Sequence, residues 1–199
     1  MSSEYQDRID KVHHLRKQQI EPYPTSVRRT HTVQAVLDTF DQLTVDQVVV
    51  SIVGRVRSIR RHGKSTFGDL EDQSGSIQWY AKADVLDASG YQLIEQALDE
   101  ADFLEVAGTA TLTKRGEKTI LVSSAQMLSK AVRPLPSQWY GFKDVEDRYR
   151  KRYIDLLLNP EVRHRFDLRS RMISAIRRYF DSRGFTEVST PTLQPIYGG

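Results

Sequence analysis

The stretch GRVRSIRRHGKSTFGDLEDQSGSIQWY, Gly54 to Tyr80, combines a basic strand-like run with two further strand-like runs. Five basic residues and no acid lie between Gly54 and Lys64, and Phe67 and Gln78 follow on the next two runs. Basic side chains supply the sequence-independent part of nucleic-acid affinity, and an aromatic ring on a sheet can stack an unpaired base. The stretch therefore indicates a surface that binds nucleic acid. Its basic residues are candidate phosphate contacts: Arg55, Arg57, Arg61 and Lys64.

Alternation of apolar and polar residues predicts the strands around this stretch. From Val48 to Val56 the apolar residues fall on one side, and Arg55 and Arg57 fall on the other. Four more strands are predicted, at Ser65–Glu71, Ser76–Ala81, Phe103–Thr113 and Thr119–Met127. A helix is predicted at Asp84–Glu100, between the third and the fourth of the five strands. This order is that of the OB-fold, a small five-stranded barrel that binds oligonucleotides on strands 2 and 3.

Composition limits the class of protein. The 199 residues include no cysteine, which excludes disulfides, thiolate zinc sites and cysteine nucleophiles. The five histidines show no metal-ligand spacing with acids, so no metal site is predicted. The chain has no apolar run long enough to span a membrane, and its N-terminus carries acids where a signal peptide has an apolar core. We therefore expect a cytoplasmic protein without a membrane partner.

Prolines and a change in charge divide the chain. Arg133-Pro134-Leu135-Pro136 indicates a linker, because proline removes a backbone donor and restrains the residue before it. Helices are predicted at Ser3–Gln19, Val33–Phe40, Val145–Leu158 and Pro160–Arg183. The predicted organisation is α+β and mainly β: an N-terminal helical segment (1–45), the OB-fold (46–130), a linker with a helix (131–160) and the start of a second domain (161–199).

Two segments carry a resemblance to a known family. RPLPSQWYGFKDVEDRYRKRYIDLLLNPEV, Arg133 to Val162, and RGFTEVSTPTLQPIYGG, Arg183 to Gly199, resemble the class II lysyl-tRNA synthetases. The aspartyl and asparaginyl synthetases share the OB domain, but the run Arg148 to Tyr153 and the segment Gln194-Pro195-Ile196 favour the lysyl enzymes. The chain departs from the pattern at Tyr197, where most members have proline.

The resemblance implies a partner and a site. Phe67 and Gln78 would hold the central uridine of the lysine anticodon between them, and Arg60 and Glu117 would contact its edge or a neighbouring base. Single-stranded loops are where proteins read RNA sequence, and uridine offers its N3–H to a carboxylate. The implied partner is thus the anticodon loop of lysine tRNA, and no DNA is expected. Alternatively, Arg60 and Glu117 form an ordinary surface ion pair.

The C-terminal segment implies a dimer. In class II synthetases motif 1 builds the dimer interface, and the residues here that match it are Ile173, Ile176, Phe180, Phe185 and Pro191. The family uses ATP and Mg²⁺ through motifs 2 and 3, which are not recognisable up to Gly199, so this chain alone is expected to bind neither and to be inactive in aminoacylation. Gly63-Lys64-Ser65 does not complete a phosphate-binding loop, because position 58 is serine. A free-standing RNA-binding OB module remains the alternative.

Overall fold

The computed structural model describes residues 3–136 and 144–191. The chain divides into two compact units, Met1–Leu135 and Pro136–Gly199, and this division falls inside the predicted linker segment. Residues 137–143 of that linker, the Gln194-Pro195-Ile196 segment and Tyr197 lie outside the described residues.

The first unit is built on a closed five-stranded barrel, which confirms the predicted OB-fold. Its strands are β1 (Val49–His62), β2 (Ser65–Glu71), β3 (Ser76–Lys82), β4 (Phe103–Leu112) and β5 (Lys118–Ser129). They follow one another around the barrel as β1-β2-β3-β5-β4. The β3–β5 pair is parallel, and the other pairs are antiparallel.

The period-two pattern sets which side chains point into the barrel. Val50, Ile52 and Val56 of β1 are buried, as their alternation predicts. Trp79 of β3 is the largest fully buried side chain among the described residues, and its indole ring lies against β2 at Gly68. A Cβ atom at Gly68 would lie 2.4 Å from that ring, so only glycine leaves room for it. The inward-facing Gly68 and Trp79 leave Phe67, Asp69, Gln78 and Tyr80 on the outer face of the sheet.

Several helices differ from their predicted bounds. The first unit contains α1 (Ser3–Lys17), α2 (Val33–Asp38), α3 (Phe40–Asp46) and α4 (Ala88–Gln92), which continues as a π-helical turn at Leu93–Ala97. The predicted helix Val33–Phe40 is wrong at its C-terminal end, because α2 ends at Asp38 and a separate helix begins at Phe40. The predicted helix Asp84–Glu100 begins only after Asp87, whose side chain accepts a hydrogen bond from the Gly90 backbone N–H and caps α4.

A buried ion cluster joins α1 to both ends of the 99–131 segment. The side chain of Lys130 is fully buried. Its Nζ atom lies 2.7 Å from Asp102 Oδ2 and 2.5 Å from Asp99 Oδ2. Lys11 of α1 pairs with the other oxygen of Asp99 at 2.5 Å. Burial raises the pKa of Asp102 in spite of Lys130. Partial burial also acts to raise the pKa of Asp99, but hydrogen bonds from Lys11 and Lys130 outweigh it and leave that pKa lowered.

Arg8 adds a second tie between α1 and the same segment. It is a buried arginine whose Nη1 donates to the carbonyl oxygens of Glu100 and Ala131, at 3.0 and 2.9 Å. The apolar side of α1 completes this contact, since Val12 and Leu15 are buried with it. The N-terminal helix is therefore part of the barrel's fold.

The turn between β2 and β3 is held by one carboxylate. Asp72 Oδ1 accepts from the backbone N–H groups of Ser74 and Gly75, and Oδ2 accepts from the backbone N–H of Val33 at the start of α2. Partial burial acts to raise the pKa of Asp72, but hydrogen bonds from Ser74, Val33 and Gly75 dominate and the pKa lies below its ordinary value of 3.8. One side chain thus fixes a hairpin and a helix N-terminus together.

Replacing Asp72 by alanine is expected to lower the free energy of unfolding by about 1 to 2 kcal/mol, the cost of a lost N-terminal cap. A lowered folded pKa means that this stabilisation is present above the unfolded pKa and is lost as the pH falls through the folded pKa. Urea unfolding at pH 7 and in acid measures the difference, which we expect to shrink in acid. Asp72→Asn, which keeps one acceptor, is the control. Equal midpoints for wild type and Asp72→Ala at pH 7 would contradict the role.

The second unit contains α5 (Val145–Arg150), α6 (Arg152–Leu158) and α7 (Pro160–Asp181). The predicted single helix Val145–Leu158 is wrong, because the chain leaves helical geometry at Lys151. Asp155 is buried and accepts from Arg148, Arg152 and Asn159, so one carboxylate joins α5, α6 and the start of α7. Residues 186–191 have no regular secondary structure.

The residues that match motif 1 are exposed within this unit. Along α7 and just after it, the side chains of Ile173, Ile176, Phe180 and Phe185 are between 38% and 62% exposed, and Pro191 is exposed as well. Phe180 and Phe185 pack edge to face with ring centroids 5.3 Å apart. The end of α7 thus presents an apolar surface.

Candidate nucleic-acid interface

Strand register gathers the candidate residues on the outer face of β1, β2, β3 and β5. One row across the sheet consists of Arg60, Phe67, Tyr80 and Leu121. The neighbouring row consists of Ser58, Asp69, Gln78 and Thr119. Residues of both rows line a groove of about 900 Å³, and the turn between β4 and β5 forms the other wall. We call this the barrel groove.

Phe67 does not stand alone in the barrel groove. Its ring stacks on Tyr80 with the centroids 4.2 Å apart and the planes 2° from parallel. The Tyr80 hydroxyl lies 3.2 Å from Ser65 Oγ, which holds the second ring in place. Tyr80 was not among the predicted site residues, although it lies two positions after Gln78 and so points to the same side of β3. The aromatic group in the groove is therefore a stacked pair of rings, in which each ring covers one face of the other.

Gln78 and Glu117 are brought into direct contact. Gln78 Nε2 donates to Glu117 Oε2 at 2.8 Å, and Gln78 Oε1 accepts from the Thr119 hydroxyl at 2.9 Å. Gln78 is only 8% exposed, and both its amide nitrogen and its amide oxygen are hydrogen-bonded. Glu117 comes from the β4–β5 turn, so this contact fixes the turn against β3. The predicted pair of Gln78 with Phe67 lies on diagonal positions of β3 and β2.

Arg60 forms a contact that the sequence did not suggest. Its Nη1 donates to Asp69 Oδ2 at 3.0 Å and to Ser58 Oγ at 2.8 Å. The Ser58 hydroxyl also donates to Asp69. The alternative ion pair between Arg60 and Glu117 is wrong, because Arg60 pairs with Asp69 while Glu117 accepts from Gln78.

Two of the predicted phosphate contacts on β1 have partners within the protein. Arg55 donates to the Ala101 carbonyl oxygen at 2.9 Å, and its guanidinium lies 4.2 Å above the centre of the Phe103 ring. Arg57 forms an ion pair with Glu71 at 3.0 Å. These contacts favour a structural role for both arginines over contact with phosphate.

The other two predicted phosphate contacts differ from each other. Arg61 Nη2 donates to the carbonyl oxygens of Ile94 and Leu98, each at 3.0 Å, and so caps the C-terminal end of the π-helical turn. This geometry again favours a structural role. Lys64 is exposed at the turn between β1 and β2, and its contact with phosphate stays a prediction.

The β4–β5 turn supplies cations that the sequence indicated only as turn residues. Lys114 and Arg115 line the barrel groove, and so does His62 at the end of β1. Lys114 and Arg115 place positive charge along a groove that also contains the Arg60–Asp69 ion pair and the carboxylate of Glu117. Such a mixture suits a ligand that has both phosphates and polar base edges.

The part of the chain that the structure describes contains neither a cluster of metal ligands nor a membrane-spanning helix. Within residues 3–136 and 144–191, no three histidine, aspartate or glutamate side chains are placed to hold a metal ion. None of the helices in these ranges combines the length and the apolar character that crossing a membrane requires.

Two family models match the chain. The model described as "OB-fold nucleic acid binding domain" matches residues 50–128, which span the barrel strands. The model described as "tRNA synthetases class II (D, K and N)" matches residues 144–199. The second match speaks against a free-standing OB module, because it extends beyond the barrel.

Curated proteins named lysine–tRNA ligase are similar to nearly the whole chain. The protein from Carboxydothermus hydrogenoformans is 48% identical over 192 residues, which are 96% of this chain and 39% of that protein. A protein from Roseiflexus sp. (strain RS-1) is 45% identical over 98% of this chain and 40% of its own length. The Bacillus subtilis protein is 39% identical over 100% of this chain and 41% of its own length. The chain thus spans about two fifths of the length of these relatives.

Proposed function

Because this chain belongs to the class II lysine–tRNA ligase family and matches its N-terminal part, we propose that its barrel groove binds the anticodon loop of lysine tRNA. The observation that carries the proposal is the Phe67–Tyr80 stack beside the Gln78–Glu117 contact. An unpaired base needs an aromatic plane for its face and polar groups for its edge. The barrel groove offers both on adjacent rows of one sheet.

The polar groups suit a uridine. Glu117 repels phosphates, so its place in an RNA site is that of an acceptor for a base N–H, and uridine has such a donor at N3. Gln78 holds this carboxylate toward β3 through the 2.8 Å hydrogen bond. Arg60 has a donor edge for a base carbonyl, and Lys64, Lys114 and Arg115 provide charge for the flanking phosphates.

The remaining roles belong to the whole ligase. In that enzyme lysine is activated with ATP and Mg²⁺ and then joined to its tRNA. No metal-binding cluster occurs within residues 3–136 and 144–191, and we assign ATP and Mg²⁺ to no residue there. The exposed apolar end of α7 supports a homodimer interface at Ile173, Ile176, Phe180, Phe185 and Pro191. We expect the enzyme to act in the cytoplasm, where its tRNA is charged.

Titration with two RNA hairpins tests the anticodon proposal. One carries the lysine anticodon, and the other has cytidine in place of the central uridine. We expect the first to bind more tightly by about 1 to 3 kcal/mol, the usual cost of a wrong base at a position that is read by hydrogen bonds. Both affinities should fall with rising salt, because phosphate contacts release counterions. Equal affinity for the two hairpins would refute anticodon reading and leave only general RNA binding.

A further inference from the structure

A carboxylate lies where the barrel groove would be expected to be most basic. Asp69 lines the groove, opposite Ser58 on β1 and Gln78 on β3 and diagonal to Arg60. Its Oδ2 atom accepts hydrogen bonds from Arg60 Nη1, at 3.0 Å, and from the hydroxyl of Ser58. A negative charge on a surface that binds a polyanion lowers general affinity, so its presence calls for a compensating function.

The Asp69–Ser58 pair acts on only one end of the guanidinium. Ser58 Oγ and Asp69 Oδ2 both accept a hydrogen bond from Arg60 Nη1. The Nε and Nη2 atoms have no hydrogen-bond partner within residues 3–136 and 144–191, so the donors on that edge of Arg60 remain available. Two hydrogen bonds from Nη1 fix the plane of the guanidinium. The edge formed by Nε and Nη2 is therefore held in one orientation before a ligand binds.

The same pair alters the ligand that Arg60 prefers. An unpaired arginine binds any phosphate, whatever the base attached to it. With Asp69 3.0 Å away, the local charge is close to zero, and a second anion gains little from approaching. A neutral carbonyl oxygen carries no such penalty and still accepts a hydrogen bond. Uracil presents carbonyl oxygens on both sides of its N3–H, next to the donor that Glu117 would accept.

We infer that Asp69 is a positioning residue for specificity: it holds Arg60 as a reader of a base carbonyl and prevents it from acting as a general phosphate contact. This inference rests on the proposed function, because it assumes that the barrel groove binds an anticodon loop. The contacts that carry it are the Asp69–Arg60 ion pair and the shared Ser58 hydroxyl.

Asp69→Asn removes the charge and keeps the shape of the side chain. With the same two hairpins, we expect the preference for the central uridine to fall by roughly 5- to 100-fold, the range for one lost bidentate base contact. We also expect the plot of log affinity against log salt to steepen by about 0.7, the value for one added contact to single-stranded phosphate. A loss of structure alone would weaken binding without steepening this slope.

Asp147→Asn is the matched control. It makes the same chemical change in an ion pair of the same 3.0 Å length, to Lys151, in the second unit of the chain. It adds the same net charge, so an effect of overall charge would appear in both variants. We expect Asp147→Asn to leave both the preference and the salt slope at their wild-type values. Thermal unfolding of each variant verifies that it is folded.

A double variant tests whether Asp69 acts through Arg60. In an Arg60→Gln background, we expect Asp69→Asn to change neither the preference nor the slope. If wild type prefers the uridine hairpin and Asp69→Asn keeps that preference and slope, the role of Asp69 is refuted while anticodon reading stands. If wild type itself shows no preference, anticodon reading fails, and the inference on Asp69 fails with it.

Discussion

Phe67→Ala is expected to weaken binding of the lysine anticodon hairpin by about 1 to 3 kcal/mol, the value of one lost base stack. The aromatic surface of the barrel groove consists of Phe67 and Tyr80 in parallel contact, with centroids 4.2 Å apart. Removing the first ring takes away one plane and leaves the second without its neighbour. Fluorescence titration at fixed salt measures the loss.

Two variants control this experiment. Tyr80→Phe keeps the ring and loses only the hydroxyl near Ser65, so we expect affinity close to wild type. Tyr153→Ala removes an aromatic ring that is 67% exposed in the second unit, and we expect no change in affinity. An unchanged titration for Phe67→Ala in a folded protein would remove Phe67 from the site. A loss of equal size for Tyr153→Ala would show that binding is not confined to the barrel groove.

Lys130→Ala is expected to lower the free energy of unfolding by about 3 to 5 kcal/mol, which is the cost of leaving a buried charge without its partner. Lys130 and Asp102 are both fully buried, and their atoms lie 2.7 Å apart. Without the ammonium group, Asp102 keeps its backbone donors but loses its counter-ion. Chemical unfolding at pH 7 measures the change.

The pH dependence separates lost charge from lost packing. The pKa of Asp102 is already raised by burial, so its stabilising contribution is fully present at low pH and is lost as the pH rises. Removing Lys130 strengthens this trend, and the deficit of Lys130→Ala should therefore shrink in acid. Lys130→Met retains most of the apolar stem and should show the same acid recovery. A deficit that does not change with pH would contradict an electrostatic cause.

The barrel could be predicted because its signals are local. Alternation along β1 separates Val50, Ile52 and Val56 from Arg55 and Arg57, and turn residues separate the later strands. The spacing of these strands around one helix is sufficient to indicate the OB-fold. The two broken helices were missed because capping side chains and backbone geometry, rather than apolar periodicity, decide where a helix stops.

The site could be predicted only in part, because charge in a sequence does not reveal its partner. Arg55 and Arg61 follow a pattern typical of phosphate contacts, yet each donates to backbone carbonyl groups distant in sequence. Tyr80 and Asp69 become visible as site residues only when the register places Tyr80 opposite Phe67 and Asp69 diagonal to Arg60. Lysine is among the residues least often buried, so nothing local indicated the buried Lys130.

The contacts between α1 and the barrel bear on which piece of this protein can fold independently. The match to the OB-fold family covers residues 50–128, but Arg8 binds the carbonyl groups of residues 100 and 131, and Lys130 closes the ion cluster. A fragment trimmed to the matched range would lose Leu15 and Phe40 from the core and would leave Asp102 buried without Lys130. We therefore expect the autonomous folding unit to extend from α1 to residue 131, well past the borders of the motif.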